Sequence, residues 1–328
     1  MARRTLFESR PMPFLRLILT RVFGSFLTLA LVSVVIFVSV QGLPGDAATR
    51  ILGREAPEAA KERLREEMNL DAPLWERYGD WVGGVLRGDL GTSFAVKKPV
   101  AEHLGPRLAN TLSMAALALL MYLPLSIIPA VLQARRPDGR LDGALSATNI
   151  LINSTPEFLF ATIMLFGLAV WVPWFPPIVQ LSSEMSWSAW LHALFLPALT
   201  LAILMATYGT RLLRESLIEI LHSDHVRLSE LRGLSETRIL FRHVLPNALI
   251  PWMNATALNI AFLIGGVVVV EKVFGFAGFG SMLVDALQLR DLPVITAGVM
   301  VAAGLFILVN LLADLGAILV NPRLRGRN

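Results

Sequence analysis

The sequence predicts an all-α, polytopic membrane protein with six transmembrane helices. Three observations carry that prediction. Of 328 residues, 55% are hydrophobic and 16% charged, against about 45–50% and ~25% in soluble domains. Six stretches, at 22–40, 108–132, 143–173, 189–210, 247–270 and 292–313, are long enough to cross a hydrocarbon layer of ~30 Å. Five of them contain no Asp, Glu, Lys or Arg, and the third contains only Glu157. Alternating strands are absent, so helices are left as the way for a backbone to satisfy its hydrogen bonds in lipid. This composition excludes an ordinary cytosolic enzyme, a disordered chain and a nucleic-acid-binding module. The chain has no cysteine, which excludes disulfides, thiolate metal sites and thiol catalysis.

The first span reads as retained rather than as a cleaved signal. Its apolar run exceeds a 7–15-residue signal core, and Gln41-Gly42-Leu43-Pro44-Gly45-Asp46 offers no small-x-small cleavage site. Arginine sets the orientation. Arg3, Arg4, Arg10, Arg16 and Arg21 precede span one, and Arg135, Arg136 and Arg140 follow span two. Arg211, Arg214, Arg227, Arg232, Arg238 and Arg242 follow span four, and Arg323, Arg325 and Arg327 close the chain. Six spans put all four groups on the cytoplasmic side, while the short outer segments hold one arginine, Arg290. The sequence therefore divides into a cytoplasmic N-terminus (1–21), a first span (22–40), an extracytoplasmic segment (41–107), a five-span core (108–320) and a cytoplasmic tail (321–328). This sidedness accounts for the sequence pI of 9.8 without nucleic acid.

In the segment 41–107, Pro57 and Glu58 open a helix, since proline suits the first turn and an acid suits the dipole. Ala60, Leu64 and Met68 then recur at i, i+4, i+8. A second amphipathic stretch sets Leu74, Tyr78, Trp81, Val82 and Val85 on one face. Trp and Tyr favour the membrane boundary, so a cap on the bundle or at the interface is the simpler expectation, and a docking surface the sharper one. Between spans five and six, Gly275, Gly278 and Gly280 stand among Phe274, Phe276 and Phe279, where glycine permits a tight return and close packing.

Asn149, Asn153 and Glu157 fall at i, i+4, i+8 on one expected face of span three, as Asn310 and Asp314 do at i, i+4 on span six. Polar groups at such depth should face the bundle or a wet cavity. They are candidates for lining a solute path, beside the simpler reading of interhelical hydrogen bonds at about 0.6 kcal/mol each. His222 and His225 are three apart but have no carboxylate at a suitable spacing for a metal. No Gly-x-Ser-x-Gly elbow occurs.

The loop at 211–247 is the most informative segment. Ser223 or Asp224 can cap a short helix, and Gly233 sits where a residue of positive φ would end it. Ser235 can cap a second helix running past Phe241 and His243 to Pro246. Two short helices flanking a glycine between two spans read either as a surface element on lipid or as a rigid lever gripped by a soluble partner.

This loop resembles the EAA loop of permeases from binding-protein-dependent ABC importers, in Gly233-Leu234-Ser235 and in His243-Val244-Leu245-Pro246-Asn247. The resemblance runs along nearly the whole chain: Leu43-Pro44-Gly45-Asp46, Gly88-Asp89-Leu90-Gly91-Thr92-Ser93, Leu196-Pro197-Ala198-Leu199-Thr200, Val270-Glu271-Lys272-Val273-Phe274, Arg290-Asp291-Leu292-Pro293-Val294, Asn310-Leu311-Leu312-Ala313-Asp314 and Asn321-Pro322-Arg323. Together these are similar to the first permease subunit of dipeptide/oligopeptide/nickel-type importers. The chain departs from the family pattern at Leu228 to Arg232, Ala47, Ala277 and Asn321.

The resemblance implies a type I importer permease fold and a transporter subunit for peptides or peptide-like solutes. It implies a second homologous permease, two cytoplasmic ATPases, an extracytoplasmic solute-binding protein and a home in the bacterial inner membrane. It places the ATPase contact on Asp224, Val226, Arg227, Ser229, Glu230, Gly233, Leu234, His243 and Asn247. With no Gly-x-x-x-x-Gly-Lys-Ser/Thr in this chain, ATP and magnesium would be bound by the partner ATPases, and no cofactor is expected here. The alternative is a secondary transporter driven by an ion gradient without ATPases; inverted repeats and broken half-helices would mark it, and the sequence has neither.

Overall fold

The computed structural model describes residues 14–41, 47–53, 55–67, 71–182 and 184–320. Leu43-Pro44-Gly45-Asp46, Met68, Asn321-Pro322-Arg323 and the terminal arginines at 3, 4, 10, 323, 325 and 327 lie outside them. Helix is the only extended regular structure among the described residues, and the nearest approach to a strand is an isolated bridge between Thr92 and Pro99. The helices are α1 (Phe14–Gln41), α2 (Ala47–Leu52), α3 (Glu58–Glu67), α4 (Leu74–Leu86), α5 (Val100–Arg135), α6 (Arg140–Ser154) and α7 (Glu157–Leu165). They continue as α8 (Trp187–Leu221), α9 (Asp224–Leu231), α10 (Glu236–Ile239), α11 (Leu245–Val273), α12 (Phe279–Leu289) and α13 (Leu292–Val320). Short π-helical stretches, Phe166–Trp171 and Leu240–Val244, extend α7 and join α10 to α11.

Four described helical segments are long and apolar enough to cross a membrane: Leu19–Val40, Val100–Arg135, Trp187–Leu221 and Leu292–Leu311. The third expected span is not one straight helix. The pair Arg140–Ser154 and Glu157–Trp171 bends by 108°. Thr155 is extended, with ψ of 128°, because the ring of Pro156 disfavours the helical conformation in the residue before it. Glu157 therefore opens α7 instead of completing a polar stripe with Asn149 and Asn153. The helix at the fifth expected span, α11, runs 29 residues.

The bundle is organised on α8, which packs along α5 and against α11, α6 and α7, while α1 lies on α13. Gly209 makes the α5–α8 approach possible: a Cβ there would stand 2.5 Å from the Tyr122 hydroxyl. Tyr122 is fully buried, stacks on Trp252 of α11 at 5.6 Å and shares a 2.8 Å hydrogen bond with Thr256. One core cluster, with Met114, Leu194 and Phe274, fills the end of the bundle near α12. Another, with Leu213, Leu217 and Val226, fills the end that carries α9.

Glycine closes the turn from α11 to α12. Glu271 is fully buried, and its carboxyl accepts from the Thr111 hydroxyl and from the Ser281 N–H at 2.7 Å. A Cβ on Gly278 would lie 2.1 Å from Glu271 Oε1, and one on Gly280 2.6 Å from Val268 Cγ2. The close packing expected of these glycines is thus realised around a buried acid. Nearby, Asp291 is buried and accepts from the Ser93 hydroxyl and from the N–H groups of Phe94 and Ala95 at 3.1 and 3.2 Å. Two motifs far apart in sequence, Gly88 to Ser93 and Arg290 to Val294, meet in that contact.

The amphipathic stretches form as α3 and α4. Tyr78 and Trp81 of α4 pack on Phe37 of α1, with centroids 5.4 and 5.7 Å away, and the Tyr78 hydroxyl shares a 2.7 Å hydrogen bond with Ser33. Trp75 and Leu86 remain exposed, at 74% and 81%.

Candidate functional site: the loop between α8 and α11

The loop begins where α8 stops at His222, whose backbone N–H donates to Ile218 O at 3.2 Å. Ser223 takes the N-cap position of α9 in extended conformation, with no side-chain capping bond. Its hydroxyl turns to Ile220 O and to His225 Nδ1 instead, so the expected side-chain cap at Ser223 is not made. Ser235 holds the same position before α10, also without a side-chain capping bond. The expected second helix is a single turn of α-helix that widens into the π-stretch at Leu240 before α11 begins.

Gly233 adopts φ of +73°. This left-handed conformation lets its N–H reach Glu230 O at 2.8 Å and the Leu234 N–H reach Ser229 O at 3.3 Å, which closes α9 as expected. On α9 the side chains divide. Val226 is fully buried among Leu213, Leu217, Ile239, Leu240 and Val244. Asp224, Arg227 and Glu230 are exposed, Ser229 is half-buried, and Leu228 and Leu231 are exposed at 55% and 79%. Val226 is thus the anchor that fixes α9 to the bundle, and it cannot meet a partner directly. Leu234 and His243 are half-buried, whereas Gly233 and Asn247 are exposed. Asn247 donates from Nδ2 to His243 O at 2.6 Å, bracing the entry to α11.

Beside α9 and α10 opens a cleft of about 760 Å³ lined by Arg135, Arg136 and Arg140 from the α5–α6 turn and by Glu230 and Glu236 from the loop. Deeper in the bundle, Asp142 on the first turn of α6 is buried and Arg214 of α8 grips it with a fork, Nε at 2.7 Å and Nη2 at 2.6 Å. The Asp138 N–H donates to the same carboxylate at 2.9 Å, and Gln133 Nε2 does so at 3.1 Å. In the sequence Arg214 reads only as an inside charge, and neither Asp142 nor Gln133 belongs to a motif or a periodic face. The one available signal was an acid two residues into a helix behind the turn Asp138-Gly139.

Asn149 and Asn153 line a cleft of about 190 Å³ between α6 and α8, with Thr207, Arg211, Arg214 and Glu215. Thr207 donates to Asn153 Oδ1 at 3.3 Å. Glu157, beyond the bend, is exposed and takes no part. Asn310 lies elsewhere, in a groove between α1 and α13 with Thr20 and Arg21, and donates to Phe306 O at 2.8 Å. The side chain of Asp314 is outside the described set. Among the described residues no group of three metal-ligating side chains converges.

The architecture defines the class: a multi-pass helical membrane protein whose core carries an ordered helix–glycine–helix loop between two packed spans. Residues 122–326 match the family of binding-protein-dependent transport system inner membrane components, and residues 14–115 match the N-terminal part of such membrane components. The chain belongs to this family: it is a permease subunit of an ABC importer, a multi-pass inner-membrane transport subunit rather than an enzyme. Among its relatives is a probable peptide ABC transporter permease protein, y4tP, of Sinorhizobium fredii, 34% identical over 94% of this chain and 98% of its own. The glutathione transport system permease GsiC of Escherichia coli is 34% identical over 95% and 99%. The oligopeptide transport system permease AppB of Bacillus subtilis is 34% identical over 89% and 94%.

Proposed function

We propose that this chain is one of two homologous permease subunits of a peptide importer, with both termini in the cytoplasm and the α8–α11 loop as its contact with one of two ATPases. The observation that carries the reading is the construction of α9. One face is locked into the core by Val226, the end is closed by left-handed Gly233, and Arg227, Leu228, Glu230 and Leu231 are left to a partner. A stiff helix standing on two spans can pass a push into the bundle, and ATP-driven closure of the ATPases would bias the permeases between two arrangements. ATP and magnesium would be held by the ATPases, and an extracytoplasmic binding protein would deliver the solute. Peptides or peptide-like solutes follow from relatives named for peptides, oligopeptides and glutathione. The cleft with Asn149 and Asn153 is a part of this chain suited to a solute path, because amide side chains both donate to and accept from a peptide backbone.

The test is reconstitution of the chain with its partner permease, ATPases and binding protein in proteoliposomes. Di- and oligopeptides should stimulate ATP hydrolysis and accumulate. Gly233→Val, which puts a β-branched residue at φ of +73°, and Arg227→Glu should each lower peptide taken up per ATP without altering membrane insertion. Uptake without ATPases, or normal coupling in both variants, refutes the reading.

A further inference from the structure

We infer that the Arg214–Asp142 pair is the positioning contact that carries movement of the coupling loop from α8 to α6, and so sets the opening of the cleft bearing Asn149 and Asn153. The inference rests on the importer reading above and adds to it the route by which the loop acts. Only His222 and Ser223 separate α8 from α9, and Val226 is buried in the same core cluster as Leu213 and Leu217 of α8. A push on α9 therefore arrives at the end of α8. Arg214 lies seven residues before Leu221, roughly 10 Å along the helix at ~1.5 Å per residue.

The contact across to α6 has the properties of a joint. Both carboxylate oxygens of Asp142 are engaged by two nitrogens of one guanidinium, which fixes orientation as well as distance. The carboxylate is also tied to the Asp138 N–H and to Gln133 of α5, and Gln133 Nε2 donates to Ser146 Oγ at 3.0 Å, one turn further along α6. The side chains are 4% and 22% exposed, so water does not readily replace either partner. By contrast, Arg211–Glu215, one turn away, is exposed on both sides at 3.9 Å within α8 itself and ties α8 to nothing. Asn149 and Asn153 follow Asp142 by two and three turns on α6, facing Thr207 of α8. A rotation of α8 that drags Asp142 changes the separation of these cleft walls.

The experiment uses the complete importer in proteoliposomes and reads peptide transported per ATP hydrolysed. Arg214→Lys keeps the charge but loses the fork. Asp142→Asn keeps the shape but loses the charge. Both should retain assembly and ATPase rates within about twofold of wild type while lowering the ratio by about fivefold or more, the low end of usual coupling between sites. The exchange Asp142→Arg with Arg214→Asp should restore part of the ratio. In parallel, since the chain lacks cysteine, spin labels at Ile150→Cys and Leu204→Cys report the α6–α8 distance. It should change on ATP binding in wild type and stay fixed in Arg214→Lys. An unchanged ratio in both variants overturns the inference. So does a loss of ratio that merely parallels loss of assembly, which would mark a purely structural contact. Failure of wild type itself to couple ATP to uptake would instead refute the importer reading.

Discussion

Replacing Gly278 by alanine tests how the buried Glu271 is held. The added methyl carbon would stand 2.1 Å from Glu271 Oε1, 2.2 Å from Cδ and 2.5 Å from Oε2. A carbon contact relaxes near ~3.5 Å, so the carboxyl must retreat by about 1.4 Å. It cannot do so while accepting from Thr111 and Ser281. Hydrogen bonds to a charged or strongly polar buried group are worth about 1.5–3 kcal/mol each, and overpacking adds about 1–3 kcal/mol. Loss of one bond plus the overpacking gives an expected destabilisation of about 4 kcal/mol. Glu271→Gln keeps the size and sets an amide where one oxygen met a donor, for about 1–3 kcal/mol. Gly304→Ala is the control: beyond its chain neighbours and its own helix backbone, nothing lies within 4 Å of an added Cβ, and alanine favours helix over glycine by ~1 kcal/mol. Equilibrium unfolding of the purified chain in mixed detergent micelles, followed by tryptophan fluorescence, ranks the three. If Gly278→Ala unfolds at the same denaturant fraction as Gly304→Ala, Glu271 is not seated against that glycine and the account of this turn is wrong.

Three further expectations follow from the geometry. In the cysteine-free chain, labels at Trp75→Cys and Leu86→Cys should be quenched by a lipid-borne nitroxide, while one at Asp80→Cys on the opposite face of α4 should respond to aqueous iodide; iodide quenching at all three would place α4 away from the bilayer surface. Asp291→Asn should cost about 1–3 kcal/mol through its unpaired N–H and hydroxyl donors and raise amide exchange at residues 93–97 above that of α8; unchanged exchange there would mean that Asp291 does not hold the segment. Asn153→Ala should alter the apparent KM for peptides in the reconstituted importer whereas Glu157→Gln should not, and equal effects would remove the distinction drawn by the bend at Thr155.

Much of this protein is written in local sequence. The long apolar runs that become α1, α5, α8 and α13 are legible because lipid imposes one demand on every residue of a span, that its backbone be bonded internally and its side chain be apolar. Gly233 is legible for a similar reason, since ending a helix in the left-handed conformation is decided within one turn. Pro156 carried the signal for the bend in the third span, but hydropathy averages over it, and only the extended Thr155 shows that Glu157 leaves the face of Asn149 and Asn153. The tertiary structure alone decided which polar groups meet. Ser93 finds Asp291 198 residues away, Thr111 finds Glu271 160 residues away and Arg214 finds Asp142 72 residues away. It also turned Val226 inward while Arg227 and Glu230 face out. Periodicity reports the environment of a side chain. The partner of a buried charge is fixed only when helices distant in the chain are packed, because its desolvation has to be offset wherever the fold brings a donor within reach.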